Sequence, residues 1–126
     1  MSAVLVDTHA LLWFLAGDPK LSEKARETIE DTTVIPFVSA ASTLEIAIKA
    51  SLGRLAVPDD LPEQLAGQGF LSAPVEEEHA WRVRTLEGAS HKDPFDRLIA
   101  AQALVEGLAV VSADRQFELY GVKRTW

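Results

Sequence analysis

Five acidic side chains stand where a folded chain could put them to chemical use. Asp7 directly follows the apolar run Ala3–Val6. Glu45 lies beside the apolar positions of a stretch with helical periodicity. Asp93 and Asp96 stand one turn apart at the head of Asp93-Pro94-Phe95-Asp96-Arg97-Leu98-Ile99-Ala100-Ala101-Gln102-Ala103. Asp114 comes two residues after the apolar run Leu108–Ser112. Carboxylates gathered in one place repel one another, so clustering them costs stability unless a cation neutralises the charge. Oxygen-only donors suit a hard ion, Mg2+ or Mn2+. Mg2+ keeps several waters and takes one or two carboxylates, which leaves other acids to hold waters or a second ion. Two ions about 3.5–4 Å apart can clamp the attacking and leaving oxygens of an in-line phosphoryl displacement. The reaction class suggested is metal-assisted hydrolysis of a phosphodiester.

Each acid also has a purely local role. Asp93 can be an N-cap, with Pro94 as first helical residue and Asp96 at the third position, where a negative charge complements the helix dipole. Asp7 can cap the helix that follows it. Glu45 can pair with Lys49 at i,i+4 for about 0.2–0.5 kcal/mol. Asp114 can be an ordinary turn residue. The chemical reading therefore depends on whether the fold brings the acids together.

The elements needed to do so are visible as alternating apolar runs and helical periods. Ala3–Val6 reads as a buried strand and Thr8–Leu15 as a helix, broken at Gly17-Asp18-Pro19. Ser22–Asp31 reads as a second helix capped by Ser22. Val34–Val38 is a second strand, in which Pro36 argues for a strand end, bulge or edge. Ser39 is a plausible N-cap for a helix running to about Leu52, with Gly53 ending it and an apolar stripe Ala41, Leu44, Ile48 and Leu52. Leu61–Gln68 is a short helix, Phe70–Val75 an extended segment, and Glu76–Gly88 a helix with Ala80, Val83 and Leu86 inward. The helix opened by Asp93 runs to about Glu106, with Leu98, Ala101, Leu104 and Val105 on its apolar side, and stops at Gly107. Leu108–Ser112 is a strand, Arg115–Tyr120 a turn of helix, and Val122–Trp126 a last strand. This is the pattern of a three-layer α/β/α fold with a central, mostly parallel sheet. Strands covered on both faces read as continuous apolar runs, as these do. Ligands of such sheets bind outside the carboxyl ends of the strands, the edge on which the acids can converge.

The chain has 126 residues, the size of one ordinary domain over residues 1–126, and no cysteine. Disulfides, thiolate zinc sites and a Cys nucleophile are excluded. No apolar run approaches the roughly 20 residues of a membrane span. The start, Met1 to Val6, lacks the basic region of a signal peptide, so a cytoplasmic location is expected. The net charge of −7 counts against a nucleic-acid binder that works by a basic surface. His9, His79 and His91 are read as structural or surface residues, and Trp13, Phe14 and Trp81 as core or dimer interface.

In their order and separations several segments together resemble one known family. These are Asp7-Thr8-His9 after a strand, Ser39-Ala40-Ala41-Ser42-Thr43-Leu44-Glu45-Ile46-Ala47 on a helix, Asp96 ahead of Leu98-Ile99-Ala100-Ala101-Gln102-Ala103, and Val111-Ser112-Ala113-Asp114-Arg115-Gln116-Phe117. They resemble the PIN domain, and within it the small VapC-type toxins of type II toxin–antitoxin pairs. The resemblance runs from residue 3 to about residue 117. It implies a Mg2+-dependent (or Mn2+-dependent) ribonuclease, with Asp7, Glu45 and Asp96 as principal acids and Asp114 as a fourth. It also implies a homodimer, and a cognate VapB-like antitoxin whose tail occupies the active-site groove. Asp93 belongs to a variant of the motif, with metal shell, water ligand and plain cap all open. Ser39 and Ser112 are candidate second donors beside the acids, against a cap and a strand-end hydroxyl. Lys49, Arg54, Lys92 and Arg97 are the local cations that could hold phosphate beside the metal, against solvated surface charges. Two other functions stay open on the residues alone. One is a phosphatase with Asp7 as covalent nucleophile, although such enzymes often carry a second Asp where His9 stands. The other is a non-catalytic interaction module.

Overall fold

The computed structural model describes residues 2–86 and 93–126. The chain begins with β1 (Ser2–Val6), α1 (Thr8–Ala16), α2 (Glu23–Glu30), β2 (Val34–Ser39), α3 (Ala40–Ser51) and α4 (Leu61–Gly67). It continues with β3 (Leu71–Ala73), α5 (Glu77–Arg82), a 3-10 turn at Val83–Thr85, α6 (Pro94–Glu106), β4 (Ala109–Val111), α7 (Gln116–Leu119) and β5 (Arg124–Thr125). The strands form one sheet in the order β3-β2-β1-β4-β5, and every pair is parallel. From β1 the chain builds outward to β2 and β3 on one side, then returns to place β4 and β5 on the other. The order therefore reverses between β1 and β4, and the crevice above that pair is where such sheets bind ligands.

The pleat explains the layers. Successive side chains of a strand point to opposite faces. Val4 and Val6 join a core with α1, α2, Ile46 of α3 and Leu65 of α4, whereas Leu5 joins a core with Ile99, Ala100 and Ala103 of α6 and Phe117 of α7. Val111 and Val110 divide between the same two cores. Helices thus cover both faces, the expected three-layer α/β/α arrangement. Among the described residues no helix is long and apolar enough to cross a membrane.

Pro36 lies inside β2, opposite Val4 of β1, while β3 joins β2 only from Phe37 onward. Its missing N–H thus falls where, among the described residues, β2 pairs with β1 alone, so a locally one-sided stretch tolerates it. The helices differ from expectation in phase. In α3, Leu44 and Leu52 are 53 % and 60 % exposed and Ile48 is also exposed, whereas Ala41, Ser42, Glu45 and Ile46 are buried. Of the expected stripe only Ala41 faces inward; the rest is an outer face, because the inner face shares its places between Ala41, Ile46 and the polar Ser42 and Glu45. In α6 the inward residues are Ile99, Ala100, Ala101, Gln102 and Ala103, with Leu98, Leu104 and Val105 half-buried. The two alanines that join the core let this helix lie close over Leu5 and Val110. The stretch expected as one helix from Glu76 tightens into the 3-10 turn after Arg82; Gly88 lies outside the described residues. Ala80 is exposed and His79 buried instead.

Candidate active site

Asp7 is the first residue past β1 and the N-cap of α1, with extended backbone at φ −72° and ψ 167°. One carboxylate oxygen accepts the Ala10 N–H at 2.8 Å, satisfying an open donor of the first turn. The other accepts a hydrogen bond from the Ser112 hydroxyl. The Asp7 N–H donates to the Val111 carbonyl at 3.1 Å, so the residue is tied to both strands of the switch point. Its side chain is in protein, not water, with the residue 4 % exposed. Burial pushes its carboxyl up from 3.8 to about 6; the Ser112 and Ala10 hydrogen bonds and the charge of His9 pull the other way, and the Asp96 carboxylate raises it further. Asp7 and Asp96 therefore lie in each other's field, as expected of two acids at one edge.

Ser112 joins the acids across the switch point. Its hydroxyl donates to Asp7 and its oxygen accepts the Asp114 N–H at 3.0 Å. Its carbonyl accepts from Arg124 Nη1 at 3.1 Å, which fixes the end of β4. The Asp114 carboxylate in turn accepts the Gln116 N–H at 2.9 Å at the start of α7. Ser112 is thus a partner of a candidate catalytic acid, whereas Ser39, fully buried, accepts the Ala41 N–H at 2.9 Å and acts as the α3 cap. Ser112→Ala removes a donor that holds the Asp7 carboxylate ionised. The expected result is a loss of about 1–2 kcal/mol in stability and about 10–100-fold in activity. The acid limb of the pH–rate profile should shift to higher pH, since the lost bond lowers the Asp7 pKa. An unmoved acid limb would remove Ser112 from this role.

At the head of α6, Asp93 is the cap it looked like in the sequence, accepting N–H groups from Phe95 at 2.8 Å and Asp96 at 3.2 Å. Pro94 is the first helical residue and Asp96 stands at the third position. A residue that sequence reasoning passed over marks where these acids meet. Burial pushes the Tyr120 phenol up, Arg97 opposes, and Asp96, Asp114 and Asp93 add to the rise. Three candidate acids and one candidate cation thus lie near enough to act on one phenol. Nothing in the local sequence signals Tyr120; the return of the chain through β4 and α7 puts it there. Arg97 also reaches back to the Val83 carbonyl at 3.3 Å.

Glu45 is 6 % exposed, more than a turn inside α3. One oxygen accepts from Lys49 Nζ at 3.1 Å, the expected i,i+4 pair, and the other is buried without a hydrogen-bond partner. One turn earlier, Ser42 accepts from the Thr8 hydroxyl at 2.9 Å, which binds this face of α3 to the start of α1 next to Asp7. Lys49 is thereby committed to Glu45, Arg54 is exposed on the connector after α3, and Lys92 and His91 lie outside the described residues. Trp81, expected in a core or interface, is exposed, with the Arg84 guanidinium 4.6 Å over its ring.

Among the described residues no group of three or more His, Asp or Glu side chains stands together as a ready-made metal cage. The donors nonetheless fit a hard cation in kind. They are carboxylates only, burial raises the Asp7 carboxyl in a way that a bound cation would oppose, and a buried Glu45 oxygen lacks a partner among the described residues. Mg2+ binds through one or two carboxylates and waters, so a closed cage is not required of them.

Comparison with known proteins places this geometry in a family. The PIN-domain profile matches residues 4–123. Ribonuclease VapC22 of Mycobacterium tuberculosis is 31% identical over 118 residues, covering 92% of this chain and 90% of that protein. Among solved structures, VapBC2 from Rickettsia felis bound to a promoter DNA fragment aligns with a TM-score of 0.66 at 13% identity, over 98% of this chain and 97% of the other. FitAcB from Neisseria gonorrhoeae aligns with a TM-score of 0.64 at 20% identity, over 98% and 96%. A parallel sheet whose switch point carries Asp7 and Ser112, together with a family match over nearly its whole length, makes this chain a member of the PIN-domain family.

Proposed function

We propose that residues 1–126 form a single PIN-like domain that acts as a VapC-type ribonuclease, the toxin of a toxin–antitoxin pair. In this reading it hydrolyses RNA phosphodiesters at a Mg2+ or Mn2+ site on the acid edge of the sheet, in the cytoplasm. The observation that carries the reading is the buried Asp7 carboxylate at the switch point, held by Ser112 and facing the charge of Asp96. When bound, a divalent ion supplies charge neutralisation, Lewis-acid polarisation of the phosphoryl group and activation of water. Asp7, Asp96, Glu45 and Asp114 are the groups to hold it, directly or through water. Ala10 and Ser112 fix the Asp7 carboxylate so that it need not reorganise. The α6 start holds Asp96 rigidly. The partnerless Glu45 oxygen is an acceptor in place for a water or an ion. Arg97, whose charge acts on Tyr120 together with those of Asp96 and Asp114, is assigned to a non-bridging phosphate oxygen. Asp93 serves as cap first.

The phosphatase alternative is weaker on the same geometry. Both Asp7 oxygens already accept hydrogen bonds, which blunts a nucleophile, and His9 is exposed beside it. Expression of the chain should arrest growth, expression of Asp7→Asn should not, and a short neighbouring gene for an antitoxin should relieve the arrest. Undiminished growth with intact, soluble wild-type protein would remove the toxin reading.

The exposed row Leu44, Ile48 and Leu52 supports the protein-partner part of this reading, since a lone chain leaves it in water. We assign it to a second copy of the chain. In sedimentation the wild type should be a dimer, and the pair Leu44→Glu, Ile48→Glu a folded monomer. A dimer that survives both charges would place the interface elsewhere.

A further inference from the structure

Helices α5 and α6 run antiparallel. His79, near the start of α5, bonds to Glu106, the last residue of α6, at 2.8 Å, and the Val83 carbonyl just past α5 accepts from Arg97, in the first turn of α6, at 3.3 Å. The end of α5 therefore stands beside the α6 head. That head carries Asp93 and Asp96, and the Asp96 charge acts on Asp7. Trp81 lies two residues before Val83, about 3 Å along a helix axis. A polymer laid across the acid edge and continuing toward α5 meets this ring.

Trp81 is 66 % exposed, the most exposed large apolar side chain among the described residues. The charges around it differ from one side to the other. One turn onward, the Arg84 guanidinium lies 4.6 Å over the ring. Arg82 is exposed, with its Nε donating to the Thr85 hydroxyl at 3.1 Å. Among the described residues neither arginine pairs with a carboxylate. With Arg97 they bring guanidinium groups to this end of α5 in a chain whose net charge is −7. One turn earlier, Glu77 and Glu78 line a shallow hollow with the ring. Carboxylates there repel phosphate, so a nucleic-acid backbone is held to the arginine side and the ring is left for a base.

We propose that Trp81 is a stacking platform for an unpaired base of the RNA, on the strand that continues from the scissile phosphate, with Arg82 and Arg84 on the neighbouring phosphates. Aromatic rings and guanidinium planes are the groups on which splayed-out RNA bases stack. Every base has a π-face, so the platform selects for an unpaired strand and not for a sequence. The identity of the ligand rests on the ribonuclease reading; the platform rests on the exposed ring, the arginines and their place beside the α6 head.

The probe is a fluorescein-labelled oligoadenylate of about 12 nucleotides, followed by anisotropy in Mg2+. The full chain carries Asp96→Asn, so that binding is read apart from cleavage. In that background Trp81→Ala should weaken binding about tenfold, and Trp81→Phe, which keeps a ring, by no more than about threefold. Arg84→Gln should weaken binding and lower the slope of its salt dependence by about one. The same strand paired with oligouridylate has its bases already stacked, so its affinity should be unchanged by Trp81→Ala. Tryptophan emission should fall when the single strand binds, and fall much less in Trp81→Phe, because Trp13 and Trp126 are half-buried against each other. Single-strand binding that depends on Trp81 in this way supports the proposal whether or not the wild type cuts RNA. RNA cleavage by the wild type with an affinity unchanged in Trp81→Ala would overturn the platform and leave the nuclease reading standing. Equal losses in Trp81→Ala and Trp81→Phe, an equal loss for the duplex, or no binding up to about 1 mM would each overturn it too. So would a Trp81→Ala chain that sediments as a monomer where the wild type is a dimer, since the ring would then belong to a contact between copies.

Discussion

Asp96→Asn is expected to lower RNA cleavage about 10²–10³-fold, the scale on which a preorganised electrostatic group acts at a reacting centre, without unfolding the protein. Asn keeps the size of the side chain, and the α6 cap belongs to Asp93, not to Asp96. What is removed is a charge that acts on Asp7 from a helix anchored by the buried residues Ile99 to Ala103. Asp93 makes the contrast sharp. Asp93→Ala should cost about 1 kcal/mol in stability through loss of the cap, whereas Asp93→Asn, which can still accept both N–H groups, should retain most of the activity. Cleavage rates and thermal melts of the three variants decide the matter. Full activity in Asp96→Asn with strong loss in Asp93→Asn would reverse the assignment of the two acids.

Asp7→Asn is expected to be more stable than wild type at neutral pH while losing activity on a similar scale. A folded-state carboxyl pKa of about 6, above the ordinary 3.8, means that the folded protein prefers the protonated form. The stabilising effect of that preference is fully present below pH 3.8 and is lost as pH rises through about 6. At pH 8 the ionised Asp7 therefore costs the fold about 3 kcal/mol. Asparagine cannot ionise and caps a helix about as well as aspartate, so Asp7→Asn should melt roughly 5–10 °C higher at pH 8. The difference should shrink toward pH 4. Saturating Mg2+ should narrow it at pH 8, because a bound cation stabilises only the ionised wild type. A variant that melts below wild type at pH 8 would contradict the burial cost assigned to Asp7. The same shift should weaken metal binding by wild type as pH falls from 7 to 5, when Asp7 takes up a proton.

Much of this architecture is written in local pattern. Val4-Leu5-Val6 and Ala109-Val110-Val111 are apolar without alternation because both faces of each strand are covered, and that alone announces a buried parallel sheet. Caps were equally plain: Ser22, Ser39 and Asp93 accept the N–H groups their positions suggest, and Gly107 ends α6 in the left-handed region at φ 69°. Phase was not plain. In α3 apolar periodicity points to Ala41, Leu44, Ile48 and Leu52, yet only Ala41 of these is buried, beside Ser42, Glu45 and Ile46, because a site that takes polar groups inward shifts the usual phase. In α6 the buried Gln102 breaks the stripe in the same way.

The site itself divides along the same line. Asp7, Glu45, Asp96 and Asp114 could be proposed because each stands at a strand end, on the helix that follows one, or at the head of a helix that feeds one. Their couplings are long-range. Ser112 meets Asp7 across 105 positions of sequence, and Tyr120 gathers the influence of Asp93, Asp96, Asp114 and Arg97 through a turn of the chain that no local spacing encodes. A strand-end serine and an aromatic at the end of a one-turn helix are too common to single out beforehand.

The most direct test of the account is cleavage of RNA by the purified chain across a Mg2+ titration, with EDTA and Mn2+ as controls. The account predicts cleavage that rises and saturates with Mg2+, vanishes in EDTA, returns with Mn2+, and is lost in Asp96→Asn at every metal concentration. Cleavage that persists in EDTA, or that Asp96→Asn performs as well as wild type, would contradict it.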